Sequence, residues 1–307
     1  ISLNSNYADA HNNMGLALQR QGKLDEAIGS FKKAISLKPD YTNAYYNIGN
    51  VLKDQEKQDE AIKTYKQALL IKPDFVEVYN NMGNAYKDQG ELEKAIASYK
   101  NALSLKSDFV EVYNNMGNAY KDQGELEKAI ASYKNALSLN SNYAEAYYNM
   151  GIALQEHGKL DEALEAYKQS ILLKTNYIDA YINIGNVFKD QGKLNDSINT
   201  YNKVLSLNPD HSKIHLNKGL ALQDKGDIND AIKAFKKSIS LNPNYPEAHL
   251  NLGFSLFQTD RVKEGLEEYE WRKKTSKGLL RHRHFRQILW NGKVSLKDKT
   301  ILIWCEQ

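Results

Sequence analysis

The sequence predicts an all-α stack of about eight helix-turn-helix units followed by a short non-repeat tail. Three observations carry this expectation. The eight glycines Gly15, Gly49, Gly83, Gly117, Gly151, Gly185, Gly219 and Gly253 recur every 34 residues, and an unbroken period of that length marks a stacked-repeat architecture. Inside each period two apolar stripes follow helical spacing. Between the stripes, and again at the end of each period, stand residues that stop helices.

Unit positions are counted from Val76 in the third copy, where the pattern is clearest. The first helix there places Tyr79, Met82, Gly83 and Tyr86 at positions 4, 7, 8 and 11, the i, i+3, i+4, i+7 stripe of an amphipathic helix. The second places Leu92, Ala95, Ile96, Tyr99, Ala102 and Leu103 at positions 17, 20, 21, 24, 27 and 28. Between them Gly90 suits the left-handed conformation that closes a helix. The second helix of each unit is expected to stop near Pro39, Pro73, Ser107, Ser141, Thr175, Pro209 or Pro243, because proline cannot continue the hydrogen-bond ladder and small polar residues favour turns. Gly83 and Ala95 are expected to face each other where the paired helices come closest. Tyr99 and its equivalents (Phe31, Tyr65, Tyr133, Tyr167, Tyr201, Phe235 and Tyr269) are expected to fill the gap to the following unit.

The pattern aromatic-x-x-apolar-Gly-x-x-apolar, then Ala, aromatic, Ala and Pro at a period of 34, resembles the tetratricopeptide repeat over residues 8 to about 271. The resemblance implies a right-handed superhelical solenoid. On this division residues 1–7 end a truncated preceding repeat, 8–271 form eight units of 34 residues, and 272–307 form a basic linker and the start of a truncated further domain. Departures lean toward the C-terminal half. His11, His215 and His249 replace the first aromatic, Ser197 and Gly265 the first alanine, Ser170, Val204 and Ser238 the second, and Lys218 an apolar residue.

The 307 residues are many for one ordinary compact domain, but a solenoid grows without a single large core because each repeat touches only its neighbours. The single cysteine, Cys305, excludes an intrachain disulfide and a multi-cysteine metal site and suits a reducing compartment. No apolar run reaches the length of a membrane span and no signal sequence opens the chain, so a cytoplasmic location is expected. Ile1-Ser-Leu-Asn-Ser5 matches Leu137-Ser-Leu-Asn-Ser141 at the end of a unit, so the chain reads as a fragment that begins inside a repeat. Residues 74–105 and 108–139 are identical over 32 positions, the mark of a recent internal duplication. A surface that tolerates whole added units suits extended or repetitive partners better than one small molecule.

The candidate site lies on the first helices. Position 6 is asparagine in all eight copies: Asn13, Asn47, Asn81, Asn115, Asn149, Asn183, Asn217 and Asn251. Position 9 adds Asn50, Asn84, Asn118 and Asn186. An amide both donates and accepts, so a stacked ladder of them can hold the main chain of an extended peptide whatever its side chains. The resemblance places this ladder on the concave face, and similar ladders in O-linked N-acetylglucosamine transferases imply a grip on substrate peptides. The alternative is that each position-6 amide only bonds the neighbouring repeat. Central contacts are expected at Asn81, Asn84, Asn115 and Asn118.

Acids flank the ladder at position 2 (Asp9, Glu77, Glu111, Glu145, Asp179, Glu247) and position 13 (Asp54, Asp88, Asp122, Glu156, Asp190, Asp224), with Lys53, Lys87, Lys121 and Lys189 at position 12. Of these Lys87, Lys121, Asp88 and Asp122 belong to the expected peptide contacts, and the remaining charges read as a solvated face. The mixed signs argue against a nucleic-acid groove, which needs a basic surface. They also argue against the clamp by which chaperone-binding members of the family hold a C-terminal carboxylate, since that clamp needs lysine or arginine.

Residues 1–271 carry 31 basic against 36 acidic side chains, whereas residues 272–297 carry nine lysines or arginines and no acid. The stretch Arg281-His-Arg-His-Phe-Arg286 reads as a solvated linker or as packed on the acidic repeats. Thr300-Ile-Leu-Ile-Trp304 reads as a buried strand, and this ending resembles the junction at which bacterial tetratricopeptide proteins lead into a glycosyltransferase-like domain. If so, Ile301–Cys305 is that domain's first strand, lacking its sheet here. No catalytic constellation, cofactor motif or metal-ligand set is visible. The chain is therefore expected to be a non-catalytic scaffold for extended protein or peptide, without membrane or nucleic-acid partners. Alternatives are the substrate-recruiting arm of a glycosyltransferase whose catalytic domain is missing, and self-association through the repeat ends.

Overall fold

The computed structural model describes residues 7–274, and its regular structure there is entirely helical. Eight helix pairs appear among the described residues. They are α1 (Ala8–Arg20) with α2 (Leu24–Leu37), α3 (Thr42–Asp54) with α4 (Gln58–Ile71), α5 (Val76–Asp88) with α6 (Leu92–Leu105), and α7 (Val110–Asp122) with α8 (Leu126–Leu139). Then follow α9 (Ala144–Glu156) with α10 (Leu160–Leu173), α11 (Ile178–Asp190) with α12 (Leu194–Leu207), α13 (Ser212–Lys225) with α14 (Ile228–Leu241), and α15 (Pro246–Phe257) with α16 (Val262–Tyr269). A 3-10 segment, Glu270–Lys274, closes the described chain. The pairs fall into two compact units, Ile1–Leu207 with α1 to α12 and Asn208–Gln307 with α13 to α16.

The turn inside each pair forms as its sequence dictates. Gly22, Gly90, Gly124, Gly158, Gly192 and Gly226 all have φ between 72° and 89°, where a Cβ is disfavoured. In the third pair the Gly90 N–H donates to Lys87 O at 2.9 Å and the Glu91 N–H to Tyr86 O at 2.9 Å, satisfying carbonyls at the end of α5. Two pairs break the rule. Glu56 occupies the same left-handed turn at φ 60° and Asp260 at φ 57°. Each second helix before Pro39, Pro73, Pro209 or Pro243 ends two residues ahead of it.

Every second helix packs on its own first helix, and within each compact unit also on the first helix of the next pair. The first helices consequently bury more than one stripe. Positions 3 and 10, absent from the expected stripe, are as buried as any: Val78, Ala85, Val112 and Ala119 are fully enclosed, whereas the position-4 tyrosines Tyr79 and Tyr113 are only half-buried.

The glycine at position 8 does mark a close approach. Where serine replaces alanine at position 20, the Ser197 hydroxyl reaches the Gly185 carbonyl at 2.8 Å. The group a Cβ on the glycine would meet is the aromatic of the same unit: a Cβ on Gly83 would lie 2.5 Å from the Tyr99 ring, and one on Gly117 2.6 Å from Tyr133. The position-24 ring therefore lies across its own unit's glycine. The other departures are absorbed within the packing, since Ser170, Ser197, Val204 and Ser238 are all fully buried.

Candidate functional site

The face of the first helices left over after packing carries the asparagines, and the structure gives positions 6 and 9 different work. At position 9 the amide oxygen accepts from the tyrosine at position 24. Tyr65 donates to Asn50, Tyr99 to Asn84, Tyr133 to Asn118 and Tyr201 to Asn186, each at 2.7 Å. Each phenol is buried in the helix pair and needs an acceptor, and the amide supplies it. Burial pushes the pKa of all four hydroxyls up, that of Tyr201 to about 12.

Position 6 reaches backwards to the preceding unit. Asn47 donates to Asn12 Oδ1 at 2.9 Å, Asn115 to Asn80 at 3.1 Å and Asn149 to Asn114 at 3.1 Å. In these three the acceptor is position 5, one residue before the preceding unit's own ladder asparagine, whereas Asn251 in the eighth unit donates to Glu247 O of its own helix at 2.7 Å. Where position 5 is tyrosine its hydroxyl accepts instead: Asn81 donates to Tyr46 at 3.0 Å, and Asn183 meets Tyr148 at 3.5 Å. Asn81 also donates to Asn50 Oδ1 at 2.8 Å, and Asn80 donates to Asn81 at 3.3 Å. Tyr65, Asn50, Asn81, Asn80 and Asn115 thus form one hydrogen-bonded chain across three consecutive units. Position 5 was missed in the sequence, although the doublets Asn12-Asn13, Asn80-Asn81 and Asn114-Asn115 and the pairs Tyr46-Asn47 and Tyr148-Asn149 carried it.

Of the expected charged contacts, Lys121 pairs with its neighbour Asp122 at 2.7 Å, an arrangement that holds the two charges side by side. Lys87 and Asp88 occupy the same places in the preceding unit, with Asp88 exposed. The position-2 acids Glu77, Glu111, Glu145 and Asp179 are exposed, and no ion pair engages them among the described residues.

A family model of the TPR repeat matches this chain at residues 20–56, 49–90, 83–124, 117–158, 153–192, 185–226 and 221–260. The chain belongs to the tetratricopeptide repeat family. Among solved structures the TPR fold is shared with MamA, at 33% identity over 52% of this chain and 93% of MamA, with a TM-score of 0.50. It is shared also with YrrB, described as a TPR protein with an unusual peptide-binding site, at 23% identity over 61% of this chain and 96% of YrrB, with a TM-score of 0.53. PilF of Pseudomonas aeruginosa is 19% identical over 66% of this chain and 92% of its own, with a TM-score of 0.58. At these lower identities YrrB and PilF carry the fold alone. No curated protein matches the sequence. The TPR matches end at residue 260 and lend nothing to the glycosyltransferase-like junction. The expected strand Ile301–Cys305 and the basic stretch Arg281–Arg286 lie outside the described residues.

The TPR units are also tied at their inner turns. The glutamine at position 14 donates back to the acid at position 18 of the preceding unit: Gln55 to Asp25 at 3.0 Å, Gln89 to Asp59 at 2.8 Å, Gln123 to Glu93 at 2.7 Å and Gln191 to Asp161 at 2.9 Å. In the fifth unit His157 takes the place of this glutamine and lies 3.5 Å from Glu127. The position-4 histidines serve packing. His215 Nε2 lies 2.9 Å from Pro209 O and His249 Nε2 lies 3.0 Å from Pro243 O, and the His249 ring stacks on Trp271 at 3.9 Å. Among the described residues no cluster of histidine, cysteine and carboxylate side chains has the arrangement of a metal site, and no helix is long and apolar enough to cross a membrane.

Proposed function

We propose that this chain is a protein-interaction scaffold that holds extended polypeptide along the first helices of its repeats, with Asn81, Asn84, Asn115 and Asn118 at the centre. One observation carries the reading. The oxygens of Asn84 and Asn118 are fixed by Tyr99 and Tyr133, while their Nδ2 groups meet no protein acceptor among the described residues. An amide clamped through its oxygen presents its N–H groups in a set direction at little entropic cost. Units three and four repeat this arrangement, each with the bond at 2.7 Å, and their sequences are identical over residues 76–105 and 110–139. Donors at regular intervals suit main-chain carbonyls of an extended strand, which recur whatever the side chains. Position 6 contributes by holding adjacent units in a fixed relation, with Lys87, Lys121, Asp88 and Asp122 at the margin.

The test is the double variant Asn84→Asp with Asn118→Asp. Aspartate keeps an oxygen for the tyrosine hydroxyl and removes the outward donors. Binding to an immobilised library of random extended peptides should fall for this variant and for the alanine quadruple at Asn81, Asn84, Asn115 and Asn118, at unchanged helicity. Equal binding by wild type and the aspartate variant would return the ladder to a purely structural role.

A further inference from the structure

In four junctions of the first compact unit the aromatic residue ahead of a first helix carries a lysine from three residues upstream over its ring. Lys38 Nζ lies 5.3 Å from the Tyr41 centroid, Lys72 4.9 Å from Phe75, Lys106 5.0 Å from Phe109 and Lys174 4.5 Å from Tyr177. A cation over a ring face is held by the ring quadrupole. The junction between the fourth and fifth units departs from this rule. Residue 140 is asparagine, and its side chain folds back to accept the Asn142 N–H at 3.0 Å. Among the described residues no lysine or arginine lies over Tyr143.

Each complete junction has a carboxylate 32 positions before its ring or two positions after it, the Phe109 and Tyr177 junctions have both, and both positions are acidic at Tyr143 too. At the first junction the Tyr41 hydroxyl donates to Asp9, 32 residues upstream, at 2.7 Å. The residue 32 positions before Tyr143 is Glu111, and Glu145 stands two positions after it. Burial, then the charges of Glu145 and Glu111, push the Tyr143 pKa up to about 12. Tyr177 is flanked equivalently by Glu145 and Asp179, and there Lys174 completes the group. The Tyr143 junction has the ring and, at the corresponding sequence positions, both anions, with no lysine over the ring among the described residues. Tyr245 is preceded by Asn242 in the same way, but the residue 32 positions upstream is Lys213, so one of its two carboxylates is replaced by a positive charge.

We propose that Tyr143, Glu111 and Glu145 form a receptor for a lysine or arginine side chain of a bound polypeptide, in the place that Lys38, Lys72, Lys106 and Lys174 fill at the neighbouring junctions. The receptor rests on the extended-polypeptide reading above for the form of its ligand, and adds side-chain choice to a main-chain grip. Its anions exclude phosphate-bearing partners from this point of the surface. Carboxylate attraction and the ring face act together, so the receptor prefers a cation to an uncharged side chain of the same length.

The experiment measures binding of a fluorescein-labelled peptide of alternating glycine and lysine to the whole chain by anisotropy. Asn140→Lys supplies the missing internal cation and should weaken binding by roughly three- to thirtyfold, as should Tyr143→Leu, whereas Asn140→Gln should not. A peptide with norleucine in place of lysine should bind wild type as weakly as the lysine peptide binds Asn140→Lys. Failure of wild type to prefer lysine over norleucine, or equal binding by Asn140→Lys and wild type, would overturn the receptor. The alanine quadruple at the asparagines separates the two readings. Loss in the quadruple with none in Asn140→Lys or Tyr143→Leu refutes the receptor alone. Loss in those two variants with an unaffected quadruple supports the receptor and refutes the ladder.

Discussion

The Tyr99 hydroxyl donates to the Asn84 amide oxygen at 2.7 Å, and the two positions change together from unit to unit. Position 9 is asparagine in four units, and in all four position 24 is tyrosine. It is leucine in two, Leu16 and Leu220, and there position 24 is phenylalanine, Phe31 and Phe235. In the fifth unit, where position 9 is Ile152, the Tyr167 hydroxyl turns to Gln155 Oε1 at 2.9 Å. In the eighth unit position 9 is Phe254, and Tyr269 at position 24 is not enclosed as the others are. A hydroxyl buried in a helix pair needs an acceptor, and each fully buried position-24 tyrosine has one.

A double-mutant cycle should therefore show strong coupling. Asn84→Leu leaves the Tyr99 hydroxyl buried without a partner and should cost about 1–3 kcal/mol, while Tyr99→Phe should cost about 0.5–1.5 kcal/mol. The double variant recreates the Leu220 and Phe235 pair native to the seventh unit and should melt closer to wild type than Asn84→Leu alone. Additive losses in thermal denaturation would show that the bond does not govern the pairing.

Much of the helix pairing was legible because each signal is local. Gly90 announces its turn through its own backbone preference, and Pro209 its helix end. The inter-unit bonds were less legible because they join residues 35 apart, so the role of Asn80 appears only once α5 lies against α7 and Asn115. Positions 3 and 10 were missed for a related reason. The stripe read around Tyr79 describes a helix with one partner, whereas α5 packs between α4 and α6 and buries Val78 and Ala85 as well. For the candidate site, the sequence placed the asparagines on one helix face but did not reveal that Tyr99 and Tyr133 already occupy the oxygens of Asn84 and Asn118.

The glycine of the close approach should be intolerant even of a methyl group. A Cβ on Gly83 would meet the Tyr99 ring at 2.5 Å, and that ring is fully buried and anchored through its hydroxyl. Gly83→Ala and Gly83→Leu should each lower stability, by roughly 1–3 kcal/mol for the overpacking in either. An unchanged melting midpoint in both would mean that the ring moves aside freely.

Glu56 offers the opposite case. It holds φ at 60° in the turn where six other units use glycine, and a left-handed backbone costs a residue bearing a Cβ about 1–2 kcal/mol. Its side chain is exposed, so replacement loses no packing. Glu56→Gly should raise stability by roughly 1 kcal/mol, less whatever the added freedom of the unfolded chain removes. A urea midpoint shifted downward would refute the strain.

Alkaline pH should unfold the chain through its buried phenols. Burial raises the pKa of Tyr65, Tyr99, Tyr133, Tyr167 and Tyr201 above the ordinary tyrosine value of 10.0. Because the folded state holds these protons more tightly than the unfolded state, their contribution is fully present below pH 10.0 and is lost as pH rises beyond it. For Tyr201 the loss is complete once pH passes the folded value of about 12. Helical circular dichroism should thus be flat up to about pH 10 and then fall, with part of the phenolate absorbance appearing only as the helices are lost. Complete phenolate formation while the helical signal is intact would show that solvent reaches these hydroxyls in the folded repeats, and the Tyr99 to Asn84 bond would then be open in solution.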